Sequence, residues 1–280
     1  MLSNKLIVTA ALVGNGTTKQ QNPAVPYTPE ELARDAVACV KAGAAIIHIH
    51  VRDDEGHATM DTQRFIDSYN AVRSALDAEG LDGIINLSTG GQGSDELRTA
   101  HIEALKPEMC SYNPGSINWG KAFVYLNSPS LMERLGKVCQ QTGTKPEIEI
   151  FDTAMFNNVA QCVKDGVLTA PCHFQFIMGI PGGMFGTLKN VSFLLDCMPA
   201  GSTWSITGIG RSHMPMMLAG LAAGANGIRV GLEDGIWLEK GVPATNETYV
   251  QQAVALGKMA GREIATPQEA REILGVKQPR

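Results

Sequence analysis

Strand-like and helix-like segments alternate along the whole chain, and this alternation constrains the fold more than any other feature. The strand-like segments are short apolar runs at Leu6–Val13, Ala45–Val51, Gly83–Ser88, Glu108–Ser111, Glu147–Phe151, His173–Met178, Ser202–Ile206 and Gly227–Val230. The helix-like segments that follow them are Pro29–Ala42, Thr62–Ala78, Asp95–Leu105, Ser130–Gln141, Ala154–Asp165, Gly186–Cys197, Ser212–Ala223 and Thr245–Ala260. Eight such units in about 250 residues are typical of a (β/α)8 barrel. We therefore predict a single (β/α)8 (TIM) barrel domain over residues 1–280, with a short last helix at Thr266–Leu274.

Polar residues occupy only one face of these strands, and this separates a closed barrel from its main rival, a doubly wound open sheet. The residues that share the polar face on their own strands are His48/His50/Arg52, Asn86/Ser88, Glu147/Glu149, His173/Gln175 and Arg229/Glu233. Strands of an open parallel sheet are covered on both faces and are continuously apolar. In a barrel the apolar faces meet the helices, the polar faces point inward, and function is found at the C-terminal ends of the strands.

The composition excludes several classes of partner. The 280 residues carry a formal net charge of -5 without any Lys/Arg cluster, which argues against nucleic acid and against an anionic membrane surface. No signal-peptide pattern and no apolar run of membrane-spanning length is present, so we predict a cytoplasmic protein. Six cysteines without a C-x-x-C pair fit buried free thiols in a reducing compartment.

A His-x-His pair in the second strand is the strongest chemical signal. His48 and His50 point the same way, about 7 Å apart, because successive strand residues alternate between faces. Glu233 follows the eighth strand, which only the first strand separates from the second when a barrel closes. Two histidines and one carboxylate with open positions are typical of catalytic zinc, and also of iron(II). The alternative is that both histidines hydrogen-bond to core carboxylates without a metal.

Arg229 shares the face of Glu233 and lies deeper in the predicted barrel. A buried arginine needs carboxylate partners, and Glu147, Glu149 and Asp234 are the candidates. This cluster is either a structural ion-pair network or a device that orients a catalytic carboxylate or anchors a substrate carboxylate. Both interpretations remain open from the sequence.

Two loops at the same end of the barrel are candidates for substrate binding. Ser88, Gly90 and Gly91 form a turn after the third strand, whose N–H groups suit an anion such as a carboxylate or a phosphate. Ser111 and Asn113 begin a polar loop after the fourth strand. Glycine-rich turns also occur only to let a chain bend.

Three further histidines stand outside this pattern. His213 begins the seventh helix and is either a capping residue, a surface residue or a ligand. We predict that His57 and His101 are ordinary surface residues.

Several motifs over essentially the whole chain resemble one family, the β-keto acid cleavage enzymes. They are PYTPEELARDAVACVKAGAAIIHIHVRD, INLSTGG, PEMCSYNPGSINWG, KPEIEIFDTAM and IRVGLED. The resemblance implies a (β/α)8 fold, a divalent metal that is usually zinc, a homo-oligomer that is typically a tetramer, and a role in amino acid catabolism. The reaction it implies converts a β-keto acid and acetyl-CoA, as co-substrate, into acetoacetate and a new acyl-CoA.

The resemblance also implies roles for individual residues. His48, His50 and Glu233 look like the ligands of Zn²⁺ or another divalent metal. Asp234 looks like the base that generates the acetyl-CoA carbanion. Arg229 and Glu149 look like its orienting partners, and Ser88 resembles a residue that binds the keto acid.

One position departs from the family pattern. Members that act on an amino-substituted β-keto acid carry a glutamate after the first strand, where this chain has Gly16. We therefore expect a β-keto acid that is neutral or anionic at its far end.

Three other functions would differ from this one in their requirements. A metal-dependent aldolase or lyase would act without CoA. A hydrolase of the amidohydrolase kind would place the His-x-His pair on the first strand rather than the second. A metal-binding barrel without activity would saturate its metal with protein ligands.

Overall fold

The computed structural model describes residues 4–277, and eight parallel strands form its centre. The strands are β1 Lys5–Ala11, β2 Ile46–Ile49, β3 Ile84–Leu87, β4 Met109–Tyr112, β5 Lys145–Ile150, β6 His173–Met178, β7 Thr203–Gly208 and β8 Gly227–Val230. The sheet closes because β1 pairs with β2 on one side and with β8 on the other. The predicted (β/α)8 barrel is confirmed. A single domain over residues 1–280 stays a prediction, and its two ends lie outside the described residues.

A helix follows each barrel strand, and a ninth helix ends the described chain. The helices are α1 Pro29–Ala42, α2 Thr62–Ala78, α3 Asp95–Leu105, α4 Pro129–Thr142, α5 Ala154–Lys164, α6 Leu188–Cys197, α7 His213–Ala222, α8 Asn246–Met259 and α9 Pro267–Leu274. The start of α1 shows why these boundaries were predictable. Thr28 forms a capping box with Glu31, and Pro29 occupies the first turn.

The two faces of the strands differ as the sequence predicts. The apolar face packs against the helices, as Ile47, Ile49 and Ile148 show by their place in the main hydrophobic core. The opposite face carries polar groups that bond across the barrel interior. Asn86 Nδ2, for example, donates to Glu147 Oε2 over 2.7 Å although 61 residues separate them.

Three short hairpins, which the sequence pattern did not reveal, lie at the C-terminal end of the barrel, here called the mouth. They are Val51–Arg52 with Ala58–Thr59, Ile117–Trp119 with Phe123–Tyr125, and Trp237–Glu239 with Val242–Pro243. Each follows a barrel strand directly or after a short loop. They bring side chains over the mouth that the strands themselves do not carry.

The last helix closes the opposite, N-terminal end of the barrel. Inward-facing Ile7, Ile46 and Ile84 form a separate buried apolar cluster with Ala270 and Leu274 of α9. The predicted short terminal helix is therefore present, and it serves as a plug rather than as an outer layer.

Arg271 of α9 anchors this plug, and its loss should destabilise the fold. Its guanidinium is 4% exposed, donates to Glu108 over 2.6 Å and to Asp82 over 2.5 Å and 2.8 Å. We expect Arg271→Met to lower the free energy of unfolding by about 3 kcal/mol, since removing one partner leaves buried charge unpaired. Urea denaturation measures this.

A matched control is Arg34→Met, because Arg34 is 70% exposed and lies 3.7 Å from Asp35. An exposed pair of this kind contributes little. Equal midpoints for the two variants would show that the plug is held by apolar contacts alone.

Within residues 4–277, none of the helices has the length and apolar character needed to cross a bilayer.

Candidate metal centre and active site

Two strand ends bring His48, His50 and Glu233 together at the mouth. His48 Nε2 lies 3.5 Å from Glu233 Oε2, and His50 Nε2 lies 3.4 Å from Glu233 Oε1. One possible ligand atom from each residue lies within 4.8 Å of the others. His50 stands just beyond the end of β2, so strand geometry aims both rings at the carboxylate.

Two glycines are required for this approach. A Cβ atom at Gly231, whose φ is 143°, would lie 2.1 Å from the Ala11 carbonyl oxygen. A Cβ atom at Gly14 would lie 2.4 Å from Glu233 Cγ. Both distances are far below van der Waals contact, so only glycine lets the chain after β8 carry Glu233 beside the loop after β1.

The chemistry of this triad fits a divalent metal. Both ring nitrogens of His48 and Oε2 of Glu233 are buried without a hydrogen-bond partner. Burial lowers the pKa of His48 to about 4, so its ring is neutral and keeps a lone pair for a ligand. Burial raises the pKa of Glu233, but Arg229 and the two histidines outweigh it and keep that pKa below its usual range. Two nitrogens and one carboxylate with open positions suit zinc or iron(II).

Arg229 contacts three carboxylates at the mouth, one of which is Glu233 of the triad. Its Nε and Nη2 donate to the two oxygens of Asp234, each over 2.9 Å. Its Nη1 donates to Glu149 over 3.0 Å, and its Nη2 lies 2.5 Å from Glu233 Oε1. Thr207 Oγ1 donates to Asp234 Oδ2 over 3.0 Å. The guanidinium therefore links the metal triad to a second buried carboxylate.

Burial raises the pKa values of both remaining carboxylates in this cluster. The pKa of Glu149 rises to about 8, because desolvation outweighs the attraction of Arg229. The pKa of Asp234 also rises, for the same reason and with Glu233 as an additional repelling charge. Raised basicity in a carboxylate that is fixed by hydrogen bonds is typical of a general base.

Glu147 does not belong to this cluster, so its candidacy as a partner of Arg229 was wrong. It accepts from Asn86 and faces His173 Nε2 at 3.7 Å. The register explains the difference, since Glu147 lies two residues deeper in β5 than Glu149. The polar layer below the metal triad therefore has contacts of its own, and Asn86 Oδ1 and Glu147 Oε1 in it are buried without a hydrogen-bond partner.

The turn after β3 lies at the mouth next to His50. Gly90 N–H donates to Ser88 Oγ over 3.0 Å, and Thr89 N–H donates to Ser111 Oγ over 2.9 Å. These two N–H groups are therefore used within the protein. Asn113 offers an amide whose nitrogen and oxygen are both buried without a partner, which makes it available to a ligand.

Helix α3 fixes this turn from behind, which the sequence interpretation missed. Arg98 Nε donates to the Thr89 carbonyl over 2.9 Å, and His101 Nε2 bonds the Ser88 carbonyl over 2.9 Å. The prediction of a surface His101 was wrong, since the residue is 0% exposed and stacks on Phe65 with ring centroids 3.9 Å apart. Burial lowers its pKa to about 4, so it is neutral.

Two further side chains at the mouth were missed, and both come from segments between a barrel strand and the next helix. Tyr125, in the second hairpin, is 9% exposed, and its hydroxyl would lie 2.7 Å from a Cβ atom at Gly90. Asn15, in the loop after β1, bonds both His50 and the turn after β3. A loop residue and a strand of three residues are both too short to show a period, so no pattern in the sequence could have placed them.

The remaining histidines lie away from the triad. His213 does begin α7, is buried, and packs against Tyr249 with ring centroids 4.5 Å apart, so the structure gives it no part in the metal group. His57 is exposed, as predicted, and lies near Asp53.

Comparison with known proteins identifies the family. The family model described as beta-keto acid cleavage enzyme matches residues 5–276. The chain is 40% identical to a 3-keto-5-aminohexanoate cleavage enzyme of Fusobacterium nucleatum, over 99% of this chain and 100% of the relative. It is 32% identical to a 3-dehydrocarnitine:acetyl-CoA trimethylamine transferase of Rhizobium meliloti, over 98% of this chain and 97% of the relative.

A solved structure supports the fold. A ternary complex of ObcA with a C4-CoA adduct and oxalate superposes with a TM-score of 0.79 at 21% identity, covering 91% of this chain and 68% of that one. At this identity the likeness shows the barrel alone. The family match and the full-length relatives settle membership: the chain belongs to the beta-keto acid cleavage enzyme family.

Proposed function

We propose that this chain is a metal-dependent enzyme that exchanges the acyl group of a β-keto acid with acetyl-CoA. A β-keto acid R–CO–CH2–COO⁻ and acetyl-CoA would give acetoacetate and R–CO–S-CoA, so that the reaction balances without an oxidant or a reductant. Family membership and the acetyl-CoA in one relative's name support this reaction. The observation that carries the proposal is the triad of the buried His48 and His50 with the partly buried Glu233, beside Asp234.

The residues of the site would divide the chemistry between them. His48, His50 and Glu233 would hold the divalent metal, for which zinc is our first choice. Such an ion polarises a substrate carbonyl and neutralises developing oxyanion charge.

Asp234 would take a proton from C2 of the β-keto acid, and the resulting carbanion would attack the thioester carbonyl of acetyl-CoA and release the CoA thiolate. The thiolate would then add to the R–CO carbon and break its bond to C2, so that R–CO–S-CoA forms and C2, which takes back a proton, leaves with the acetyl group as acetoacetate. A carbanion of acetyl-CoA itself would join its methyl carbon to the keto carbon, a bond that neither product contains.

The cluster around Arg229 would serve the proton transfer. Arg229 and Thr207 hold the Asp234 carboxylate in one orientation, and Glu149 holds Arg229 in turn. A fixed base spends no free energy on orienting itself during the reaction.

The turn after β3 and the loop after β4 would bind the keto acid. Ser88 and Ser111 shape the turn, and the absence of a Cβ atom at Gly90 and Gly91 lets Tyr125 and Met60 pack against it. Asn113 would donate from its unpartnered amide.

A coupled turnover assay tests the reaction class. Protein of known metal content would be mixed with acetyl-CoA and a panel of short β-keto acids, and acetoacetate would be measured. Acetoacetate that forms only with acetyl-CoA supports the proposal. Cleavage without CoA would instead establish a metal-dependent lyase.

The charge of the substrate's far end is a finer part of the proposal. A Cβ atom at Gly16 would have no heavy atom within 4 Å, so this position leaves open space where an acidic side chain would fit. A cationic substrate would lack a counter-charge there. We propose a β-keto acid that is neutral or anionic at its far end.

Replacing Gly16 should change this preference. We expect Gly16→Glu to raise kcat/KM for 3-keto-5-aminohexanoate about tenfold, because an ion pair at 4 Å contributes about 1 to 4 kcal/mol between water and a protein surface. Rates with an uncharged analogue should change little.

Gly16→Gln is the matched control, since it has the same size without the charge. A similar gain in both variants would show that shape, not charge, decides. Near-equal rates of the wild type with the amino-substituted and uncharged substrates would contradict the charge argument.

We also propose a homo-oligomer, tetrameric as the resemblance implies. Its support in the structure is a set of large apolar side chains that are at least two-fifths exposed. They include Phe123, Val124, Leu126, Phe185, Leu188, Phe193, Leu218, Trp237 and Met259.

A further inference from the structure

Asn15 joins the metal triad to the turn after β3 through its side-chain amide. Its Nδ2 donates to the Gly90 carbonyl over 2.9 Å, and its Oδ1 lies 3.1 Å from His50 Nδ1. The residue lies at the exposed rim of the mouth, but its amide reaches inward between two loops. None of the roles proposed above involves it.

The orientation of this amide follows from its partners. A carbonyl oxygen only accepts, so the NH2 group must face Gly90 and the amide oxygen must face His50. The reversed amide would set oxygen against oxygen at Gly90. Since the amide oxygen also only accepts, Nδ1 of His50 must carry the hydrogen.

The protonation of Nδ1 decides what the other nitrogen can do. In a neutral ring with the hydrogen on Nδ1, Nε2 carries the free lone pair. His50 Nε2 is the atom that lies 3.4 Å from Glu233 Oε1, on the side of the triad. Asn15 therefore presents His50 in the form that a metal at the triad requires.

The backbone around Asn15 is held in place by a buried arginine. Arg52 is 5% exposed, and its Nη2 donates to the carbonyls of Gly14 and Thr17, the second over 2.8 Å. These contacts lie on either side of Asn15 in the chain. The amide is thus supported by fixed backbone rather than by a free loop.

The second bond of the amide reaches the substrate side. The N–H group of Gly90 donates to Ser88 Oγ. The hydrogen bond from Asn15 to the Gly90 carbonyl therefore helps to fix the turn that Ser88 shapes. The side chain of Asn15 thus connects the metal ligand His50 to the turn after β3.

We propose that Asn15 is a positioning residue that couples the metal ligand His50 to the substrate-binding turn. This inference rests on the proposed metal site and keto acid turn. It predicts that the two halves of the amide have separable effects, the oxygen acting on metal affinity and the nitrogen on the affinity for the keto acid.

Two variants separate these halves. Asn15→Ala removes both bonds, and Asn15→Asp keeps an acceptor for His50 but has no hydrogen for the Gly90 carbonyl. We expect Asn15→Ala to weaken Zn²⁺ binding about 10- to 100-fold in a chelator competition assay, the usual loss when the partner of a metal-ligating histidine is removed. Asn15→Asp should bind Zn²⁺ at least as tightly as the wild type.

Steady-state kinetics with acetyl-CoA and 3-oxohexanoate supply the second readout. Both variants should raise KM for the keto acid, and in Asn15→Asp this should occur with kcat at saturation nearly unchanged. Gly16→Ala is the control for Zn²⁺ affinity, since it alters the same loop, breaks no hydrogen bond and meets open space. Its Zn²⁺ affinity should equal that of the wild type.

The outcomes distinguish this inference from the function on which it rests. Wild-type Zn²⁺ affinity in Asn15→Ala, or equal losses in both Asn15 variants, would overturn the coupling while the metal site stands. A wild-type protein that binds no divalent metal and forms no acetoacetate would overturn both.

Discussion

Asp234→Asn should reduce kcat for acetoacetate formation about a thousandfold or more while the bound metal is retained. A positioned general base contributes about 10² to 10⁴ in rate, and an amide of nearly the same shape has almost no basicity. Asp234 is 2% exposed and bonded to Arg229 and Thr207, so its carboxylate is dry and fixed. Loss of the enzyme-catalysed exchange between the C2 hydrogens of the β-keto acid and deuterated solvent, measured above the uncatalysed rate, would locate the defect in proton removal.

Glu149→Gln is the matched comparison, because Glu149 is a second buried carboxylate on the same guanidinium. Arg229 donates only one hydrogen bond to Glu149 but two to Asp234, so the carboxylate of Glu149 is less firmly oriented. We expect the loss of kcat in Glu149→Gln to be at least about tenfold smaller than the loss in Asp234→Asn. The reverse order, with hydrogen exchange lost only in Glu149→Gln, would exchange the roles of the two residues.

His48→Gln should abolish both tight metal binding and turnover. The wild type should carry about one divalent ion per chain, whereas a site with two remaining ligands should retain little after dialysis. The loss of metal binding should also remove the stabilisation of the fold by added Zn²⁺. A ligand present at about a thousand times its Kd stabilises a fold by about 4 kcal/mol, so added Zn²⁺ should raise the Tm of the metal-free wild type and not that of the variant.

His57→Gln is the control for His48→Gln, since His57 is an exposed histidine in the hairpin that follows β2. It should keep the metal content, the Zn²⁺-dependent Tm and the turnover of the wild type. A His48→Gln protein that retains one tightly bound ion and full activity would place the metal elsewhere.

The fold could be predicted because it depends on patterns that repeat. Alternation of polar and apolar residues in the strands set the inward face, and the count of strand–helix units set the closure. The three hairpins at the mouth were missed because strands of two or three residues are too short to show a period. The helix at Thr266–Leu274 was predicted from its capping residues, but nothing in them indicated that it would plug the barrel.

The site could be predicted where it depends on strand order. His48 and Glu233 meet because β8, β1 and β2 are neighbours in a closed barrel. Asn15 and Tyr125 could not be predicted, since their positions depend on the path of loops. His101 is a different case. Arg98, His101, Ile102 and Leu105 follow the i, i+3, i+4, i+7 spacing of one helix face, so a closer look at this period would have indicated burial.

Because α9 closes one end of the barrel, the interior is accessible only from the other end. Ile7, Ile46 and Ile84 pack against Ala270 and Leu274 and close the N-terminal end. Substrates and products must therefore enter and leave the barrel through the mouth.

In the proposed reaction the keto acid would bind deep in the barrel beside His48, His50 and Glu233, whereas the long nucleotide part of acetyl-CoA would occupy the entrance above it. We therefore expect an ordered sequential mechanism, in which the keto acid binds before acetyl-CoA and the new acyl-CoA is released before acetoacetate. Helix α9, at the N-terminal end of the barrel, would thereby determine the order in which substrates bind and products leave at the C-terminal end.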